Sequence, residues 1–195
     1  MIVNIAAHIA HRWVSSGVIS KEDEGNYYYG LQLLLSTLFN LAIIIGLSII
    51  FRAPLAWISF MLAFVPLRLT AGGFHAKTHW ACIGSFCTAY ACLLLLSIKL
   101  PYAAYGTAST IAACSSLVII YFLSPVAANN NPLTMFQTSR FRRYSIVLTI
   151  IFMIPATLLL IGIPPHHFYI HFYAGEICGA LSLVIAKITM NNCHL

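Results

Sequence analysis

The sequence predicts an all-α, polytopic membrane protein, both from its composition and from the length of its apolar runs. Of the 195 residues, 61% are hydrophobic and 7% are charged, which lies far outside the range of soluble domains. Several runs approach the roughly 20 residues that an α-helix needs to span about 30 Å of hydrocarbon. Because too little polar sequence remains to cover a core of that size, a soluble globular domain is excluded. We expect one integral membrane domain over residues 1–195.

Residues 1–29 are expected to form an amphipathic, interfacial N-terminal segment. On a helix, the apolar and polar side chains of residues 1–16 separate onto two faces, which is typical of a helix that lies at the membrane surface. The predicted lipid-facing set is Ile2, Val3, Ile5, Ile9 and Trp13, and the predicted water-facing set is His8, Arg12 and Ser15. An acidic run at 22–24 then marks an exposed stretch, and the three tyrosines at 27–29 indicate an aromatic belt at headgroup level.

About six apolar segments follow, and we predict that they are transmembrane or re-entrant helices. The second segment is short for a full span, so it either crosses the membrane or enters and leaves it on one side. The longest loop is expected between the fourth and fifth segments, at 124–144. The segments comprise residues 31–51, 55–67, 81–98, 107–123, 144–163 and 168–188.

The distribution of basic residues predicts the orientation in the membrane. The chain has ten Lys and Arg against four Asp and Glu, a formal net charge of +6. In a membrane protein this excess reports topology and contact with anionic headgroups, and it does not indicate binding to nucleic acid. With six spans and a cytoplasmic N-terminus, the inner side holds Arg12, Lys21, Arg68, Lys77, Arg140, Arg142, Arg143 and Lys187, and the outer side holds Arg52 and Lys99. We expect a multi-pass protein of the cell membrane with both termini on the cytoplasmic side.

Residues 68–82, here called the polar island, carry the strongest chemical signal. His75 and Cys82 lie seven positions apart in a chain with few carboxylates, which suggests a cysteine nucleophile and its base. Cys82 falls in the first turn of the third segment, where the positive end of the helix favours the reactive thiolate. On one continuous helix the two would lie roughly 10 Å apart along the axis, too far for proton transfer. Gly72 and Gly73 allow the chain reversal that would bring them together.

Two other interpretations of the island stay open from the residues alone. His75 and Cys82 are also explained as an interfacial polar residue and a packing residue. His75, His79 and Cys82 have the i, i+4, i+7 spacing of a zinc site, although no fourth ligand lies nearby. The other cysteines mostly lie inside apolar runs, where a free cysteine behaves as a small hydrophobe, so no structural disulfide is expected.

A second group of ionisable residues lies at 164–176. His167 and His171 are one helical turn apart, next to His166, and Glu176 follows within the last span. Because a carboxylate inside the membrane is costly and often functional, this group suggests a transporter or a metal-binding membrane protein. The alternative is that the histidines lie at the outer interface and that Glu176 pairs within the bundle.

The pattern R-x-x-x-G-G-x-H-A-x6-C, formed by residues 68–82, resembles the signature of the accessory gene regulator protein B family, the membrane peptidases of Gram-positive quorum sensing. The chain length, the Tyr29-Gly30-Leu31 entry to the first span, and the Asn-Pro loop followed by basic residues are also similar to that family. The pattern consists of Arg68, Gly72, Gly73, His75, Ala76 and Cys82.

The resemblance implies that Cys82 is the nucleophile and His75 the general base of a cysteine endopeptidase. Such an enzyme cleaves a short propeptide on its C-terminal side and assists its cyclisation to a thiolactone or lactone through an acyl-enzyme thioester. Because no carboxylate lies near His75 in sequence, we expect a dyad. Arg68 and Lys77 are expected to hold the acidic region of the propeptide, with Gly72 and Gly73 as supporting residues.

The same reading implies no cofactor and no metal, and His79 has no assigned role. The expected partners are an autoinducing propeptide and the lipid bilayer, and the possibility of a homodimer is left open. The active site is expected on the cytoplasmic side.

Overall fold

The computed structural model describes residues 2–73, 79–126, 134–160 and 167–192, and within them it has seven α-helices and one short 3-10 helix. No strand occurs in those ranges, where the single β-type pairing is a bridge between Gly72 and Val126. The predicted all-α class is therefore confirmed. The α-helices are α1 (Ile2–Ser15), α2 (Glu24–Ile50), α3 (Ala56–Ala71), α4 (His79–Lys99), α5 (Tyr105–Leu123), α6 (Met135–Leu160) and α7 (His167–Asn192).

Five of these helices, α2 and α4 to α7, are long and apolar enough to cross a membrane. Helix α3 has 16 residues, so it extends roughly 24 Å and falls short of the about 30 Å of hydrocarbon. The chain is thus a polytopic membrane protein with five long apolar helices and one short one, in agreement with the six predicted segments.

The start of α6 differs from the prediction, because the helix begins at Met135 and the predicted loop at 124–144 is wrong in its second half. The reason is a capping box. The backbone N–H of Thr134 donates to Gln137 Oε1 at 3.0 Å, and the N–H of Gln137 donates to Thr134 Oγ1 at 3.3 Å. This start places the basic residues at 140–143 in the second and third turns of α6 rather than in a loop.

The helices alternate in direction, which gives the bundle two distinct ends. At the island end, Ala71 of α3, Val126 after α5 and Ala186 of α7 belong to one hydrophobic cluster. At the far end, the Ser97 hydroxyl of α4 lies 3.2 Å from Nδ1 of His171, near the start of α7. Helices α3, α5 and α7 therefore run from the far end to the island end.

Helix α2 runs in the same direction as α4. Phe39 contacts Trp80 in an edge-on ring pair with centroids 6.0 Å apart, and further along Ser48 is hydrogen-bonded to Tyr90. The first span consequently begins on the side of the bundle where the last span ends.

Helix α7 lies at the centre, between α3 and α5. Gly175 packs against the backbone of Phe60 in α3, where a Cβ atom would lie less than 3.0 Å from the Phe60 carbonyl oxygen. On the other side, the buried Tyr173 clusters with Ala113 of α5. Helix α7 is therefore packed closely against α3 on one side and α5 on the other.

Helix α1 packs against the first turns of α2 through Ala6, Ala10 and Leu31. Ile2 lies on the same face as these alanines and is 6% exposed, so its predicted lipid-facing position is wrong. The predicted helix is present and Arg12 is exposed as expected. Its location at the membrane surface stays a prediction.

Candidate active site

The polar island is divided between two helices at the island end of the bundle. Arg68 lies in the last turn of α3, with Gly72 and Gly73 directly after it, and Cys82 lies in the first turn of α4. His75 and Lys77 fall outside the described residues. The first-turn position predicted for Cys82 is confirmed.

Cys82 is a free, partly buried thiol. Its position in the first turn of α4 places it among the backbone N–H groups that have no acceptor within the helix, at the positive end of the helix dipole. The Cys82 carbonyl accepts a hydrogen bond from the Ser85 hydroxyl at 3.1 Å. This environment stabilises negative charge that develops beside the sulfur during a reaction.

The Arg68 side chain is fixed next to this thiol. Its guanidinium donates from Nη1 to the Gly72 carbonyl oxygen at 3.0 Å. The same guanidinium lies within electrostatic range of Cys82 and of Cys178 in α7. A guanidinium in this position stabilises an oxyanion formed near it.

The two glycines have positive φ, 79° at Gly72 and 137° at Gly73, as expected for residues that turn the chain. Packing adds a second requirement. A Cβ at Gly72 would lie less than 3.0 Å from the carbonyl oxygen of Val126, whose N–H donates to the Ala71 carbonyl at 2.9 Å. A Cβ at Gly73 would lie equally close to Arg68. The positive φ angles therefore favour glycine at both positions, and at Gly72 the contact with the Val126 backbone also excludes a side chain.

Residues that are distant in sequence complete the surroundings of Arg68, and sequence analysis missed them. Ser182 of α7 lies where a Cβ at Gly73 would contact it, and its hydroxyl donates to the Gly179 carbonyl at 2.7 Å. Val126 and Cys178 lie against the same corner. Nothing in their local sequence marks them, since each becomes relevant only when α5 and α7 pack against α3.

A family model described as Accessory gene regulator B matches residues 3–190, which include both parts of the polar island. The chain belongs to the accessory gene regulator B family. The resemblance seen in the sequence is thus confirmed over nearly the whole chain, and it supports a general role as a membrane protease-like enzyme in autoinducing-peptide processing. Neither the curated proteins nor the solved structures include a match.

In this accessory gene regulator B protein, the second ionisable group lies away from Cys82. His167 Nδ1 lies 3.1 Å from the Tyr105 hydroxyl, and His171 Nδ1 lies 3.2 Å from the Ser97 hydroxyl, both at the far end. Glu176 lies further along α7 and has no hydrogen-bond partner in the described part of the protein. The alternative that Glu176 pairs within the bundle is therefore wrong for those residues.

Among the described residues, no group of three or more His, Cys, Asp or Glu side chains could hold a metal ion. The zinc set proposed for the island stays untested, because His75 and the side chain of His79 are outside the described part, as is His166.

Arg140, Arg142 and Arg143, here called the basic cluster, lie on the surface of α6 at the island end of this family member. Arg140 donates from Nε to the Tyr144 hydroxyl at 2.9 Å, and Arg142 donates to the Tyr121 carbonyl at 3.2 Å. The Arg140 guanidinium also lies over the Tyr144 ring, 5.4 Å from its centroid, and the Arg142 guanidinium lies over the Tyr121 ring, 5.8 Å from its centroid. Tyrosine next to arginine is typical of a helix entering the membrane through the headgroup region.

Proposed function

We propose that this protein is a membrane cysteine endopeptidase that cleaves a short signalling propeptide and assists its cyclisation. The observation that carries the proposal is the position of Cys82, a free thiol in the first turn of α4 within electrostatic range of Arg68. This arrangement occurs in a chain whose family match covers residues 3–190. A fold of this kind does not by itself determine the reaction, which depends on the residues of the site.

In the first step, the Cys82 sulfur attacks the carbonyl carbon on the N-terminal side of the scissile bond. His75 takes the thiol proton and returns it to the nitrogen of the C-terminal fragment when the C–N bond breaks. The amide N–H groups at the start of α4, together with Arg68, stabilise the oxyanion that forms between these events. The products are the released C-terminal fragment and a thioester between Cys82 and the remaining peptide.

In the second step, a Cys or Ser side chain of the bound peptide attacks the thioester. The new bond closes a thiolactone or lactone ring, and the bond to Cys82 breaks to regenerate the thiol. Exchange between two thiols changes the free energy little, so the exclusion of water decides whether the ring forms or the thioester is hydrolysed. The partly buried position of Cys82 beside the apolar spans supports such exclusion.

Arg68 and Lys77 have different roles in this proposal. Arg68 is held by Gly72 within electrostatic range of the thiol, which supports a function in the chemical step. Lys77 is the candidate for holding the acidic C-terminal region of the propeptide. Gly72 and Gly73 support the site by allowing the close packing around Arg68.

The proposed orientation places the island end, the active site and both termini on the cytoplasmic side of the cell membrane. The support is the distribution of charge. Arg68 and the arginines of the basic cluster lie at the island end, whereas Arg52 and Lys99 lie at the ends of helices that finish at the far end. In this orientation the propeptide reaches the site from the cytosol or the inner leaflet.

The test is co-expression of a candidate propeptide with the wild type and with the Cys82→Ala and His75→Ala variants, followed by mass spectrometry. Cys92→Ala is the matched control, because Cys92 is an exposed thiol on the same helix. Membrane levels of all four proteins are compared by immunoblot. We expect the wild type and Cys92→Ala to release the C-terminal fragment, and the other two variants to leave the propeptide intact.

Loss of an essential nucleophile removes several orders of magnitude in rate, so residual cleavage should fall below detection. A cyclic product that is lighter by one water than the linear N-terminal fragment identifies ring closure. Cleavage by Cys82→Ala at the wild-type rate would show that another group is the nucleophile. Cleavage without any cyclic product would remove the second step of the proposal.

A further inference from the structure

One face of α6 is turned away from the rest of the bundle. On the opposite face Ser145 and Thr149 are fully buried, and Leu148 and Phe152 pack against the hydrophobic cluster that joins α3, α5 and α7. The outer face carries large apolar side chains, each with about half of its surface exposed. In a membrane-spanning helix such a face contacts lipid acyl chains. These apolar residues, here called the lipid stripe, are Val147, Ile150, Ile151 and Ile154.

Two exposed arginines lie on the same face, at the end of the lipid stripe nearest the start of the helix. Arg140 and Arg143 are one turn apart on α6, so their side chains are neighbours with Cβ atoms about 5–6 Å apart. Val147 follows one turn after Arg143 and two turns after Arg140, on the same side of the helix. Arg142 lies on another side, where it donates to the Tyr121 carbonyl of α5. The arginine pair and the lipid stripe therefore form one continuous surface.

Aromatic rings before and after Arg140 indicate that it lies at the level of the lipid headgroups. Phe136 is one turn before it and is 76% exposed, and Tyr144 is one turn after it. Exposed aromatic residues at the end of a span are typical of the headgroup region. The bond from Arg140 Nε to the Tyr144 hydroxyl uses one of five N–H donors of the guanidinium. The other four, on the two Nη atoms, have no acceptor in the described part of the protein.

No carboxylate of the chain is placed to balance the charge of these arginines. The sequence has no Asp or Glu between Glu24 and Glu176. Glu176 is buried inside the bundle, and Glu24 lies 3.6 Å from His11 of α1. Two neighbouring guanidinium groups repel each other, and an anion between them removes this repulsion. The surface therefore favours an anion that comes from outside the chain.

We propose that Arg140 and Arg143 bind the phosphate of an anionic phospholipid whose acyl chain lies along the lipid stripe. Guanidinium groups bind phosphate through bidentate, charge-assisted hydrogen bonds. Ile154 lies three turns beyond Arg143, roughly 16 Å along the helix, which matches one leaflet, half of the about 30 Å of hydrocarbon. The surface thus has the length and the polarity of one phospholipid.

The continuity between the arginines and the lipid stripe favours a lipid over two other anions. A soluble phosphate would contact only the arginine pair, and an acidic peptide would leave the apolar residues without a partner. In the proposed orientation the lipid belongs to the inner leaflet. The binding site would exist in either orientation, and it does not require the peptidase activity.

The experiment is native mass spectrometry of the purified full-length protein in a neutral detergent. The protein is titrated with phosphatidylglycerol and with phosphatidylcholine that carries the same acyl chains, and the dissociation constants are compared for the wild type, Arg140→Gln and Arg143→Gln. Arg142→Gln is the matched control, because it removes the same charge from the same part of α6, but from a guanidinium bonded to α5. Size-exclusion chromatography and thermal unfolding show whether each variant is folded.

We expect the wild type to bind phosphatidylglycerol at least about tenfold more tightly than phosphatidylcholine. Arg140→Gln and Arg143→Gln should each weaken phosphatidylglycerol binding by roughly fivefold and leave phosphatidylcholine binding unchanged. Arg142→Gln should weaken it by less than about twofold. Equal losses in all three variants would overturn the proposal, because they would show that diffuse positive charge attracts the lipid.

A competition with the wild type tests the identity of the anion without any variant. Glycerol phosphate and a peptide of glutamates are each added at the same molar concentration as phosphatidylglycerol. Neither should displace the lipid, because neither can occupy the lipid stripe. Displacement by glycerol phosphate would indicate a site for free phosphate, and displacement by the peptide would indicate a site for an acidic peptide. Either result would overturn the proposal.

Discussion

Replacing Gly72 by Ala tests the close packing that holds the polar island in place. The new Cβ would lie less than 3.0 Å from the Val126 carbonyl oxygen, which is backbone and cannot rotate away. The φ angle of 79° adds a conformational cost of about 1–2 kcal/mol for a residue with a side chain. Overpacking typically costs about 1–3 kcal/mol more. We therefore expect a loss of roughly 2–5 kcal/mol in the free energy of unfolding, which corresponds to a drop in Tm on the order of 10 °C.

The assay is thermal unfolding in detergent, with Gly84→Ala as the matched control. Gly84 lies inside α4, and a Cβ there would meet nothing within 4 Å. That variant should be as stable as the wild type or more stable by up to about 1 kcal/mol, because alanine favours a helix. A Gly72→Ala protein with the wild-type Tm would refute the reasoning, since it would mean that the bridge between Gly72 and Val126 is not formed.

Two further predictions concern α7 and Arg68. Gly175→Ala should lower the free energy of unfolding by about 1–3 kcal/mol, because its Cβ would press on the Phe60 carbonyl. Gly179→Ala makes ordinary contacts and should lower the free energy of unfolding by less than half as much. Equal Tm values for the two variants would contradict this prediction. Arg68→Gln should slow propeptide cleavage by roughly tenfold or more, because the guanidinium would no longer stabilise the oxyanion formed at Cys82. Mass spectrometry of the co-expressed propeptide measures this rate, with Cys92→Ala as the control, and an unchanged rate would remove Arg68 from the chemical step.

Hydrophobic runs predicted the spans well, because the membrane requires long apolar helices whatever their partners. The start of α6 shows where this approach stops. Thr134 and Gln137 have the spacing of a capping box, so the signal was present in the sequence. It was hidden by the polar composition around it, which resembles a loop when hydropathy alone is considered.

The candidate site was predictable to the extent that its chemistry is local. The first-turn position of Cys82 followed from a helix start and a short count of residues. The close packing at Gly72 could not be predicted in this way. It depends on Val126, which reaches the island only through the packing of α5. The contact of Ser182 with this corner depends in the same way on α7.

Glu176 shows that the sequence can identify an unusual residue and still mislead about its surroundings. A carboxyl group within a span is expected to find a partner in the bundle. In the structure, neither carboxyl oxygen has a hydrogen-bond partner among the described residues, and Arg68 is engaged with Gly72. Residue order alone does not reveal this lack of a partner.

Helix α7 connects the candidate active site to the centre of the bundle. One face meets α3 through Gly175 and reaches the active-site corner at Ser182, while Tyr173 packs with Ala113 of α5. Gly175 and Ser182 are seven residues apart, roughly 10 Å along the axis. Because Gly175 allows α7 to pack directly on the α3 backbone, the position of α7 sets the surroundings of Arg68.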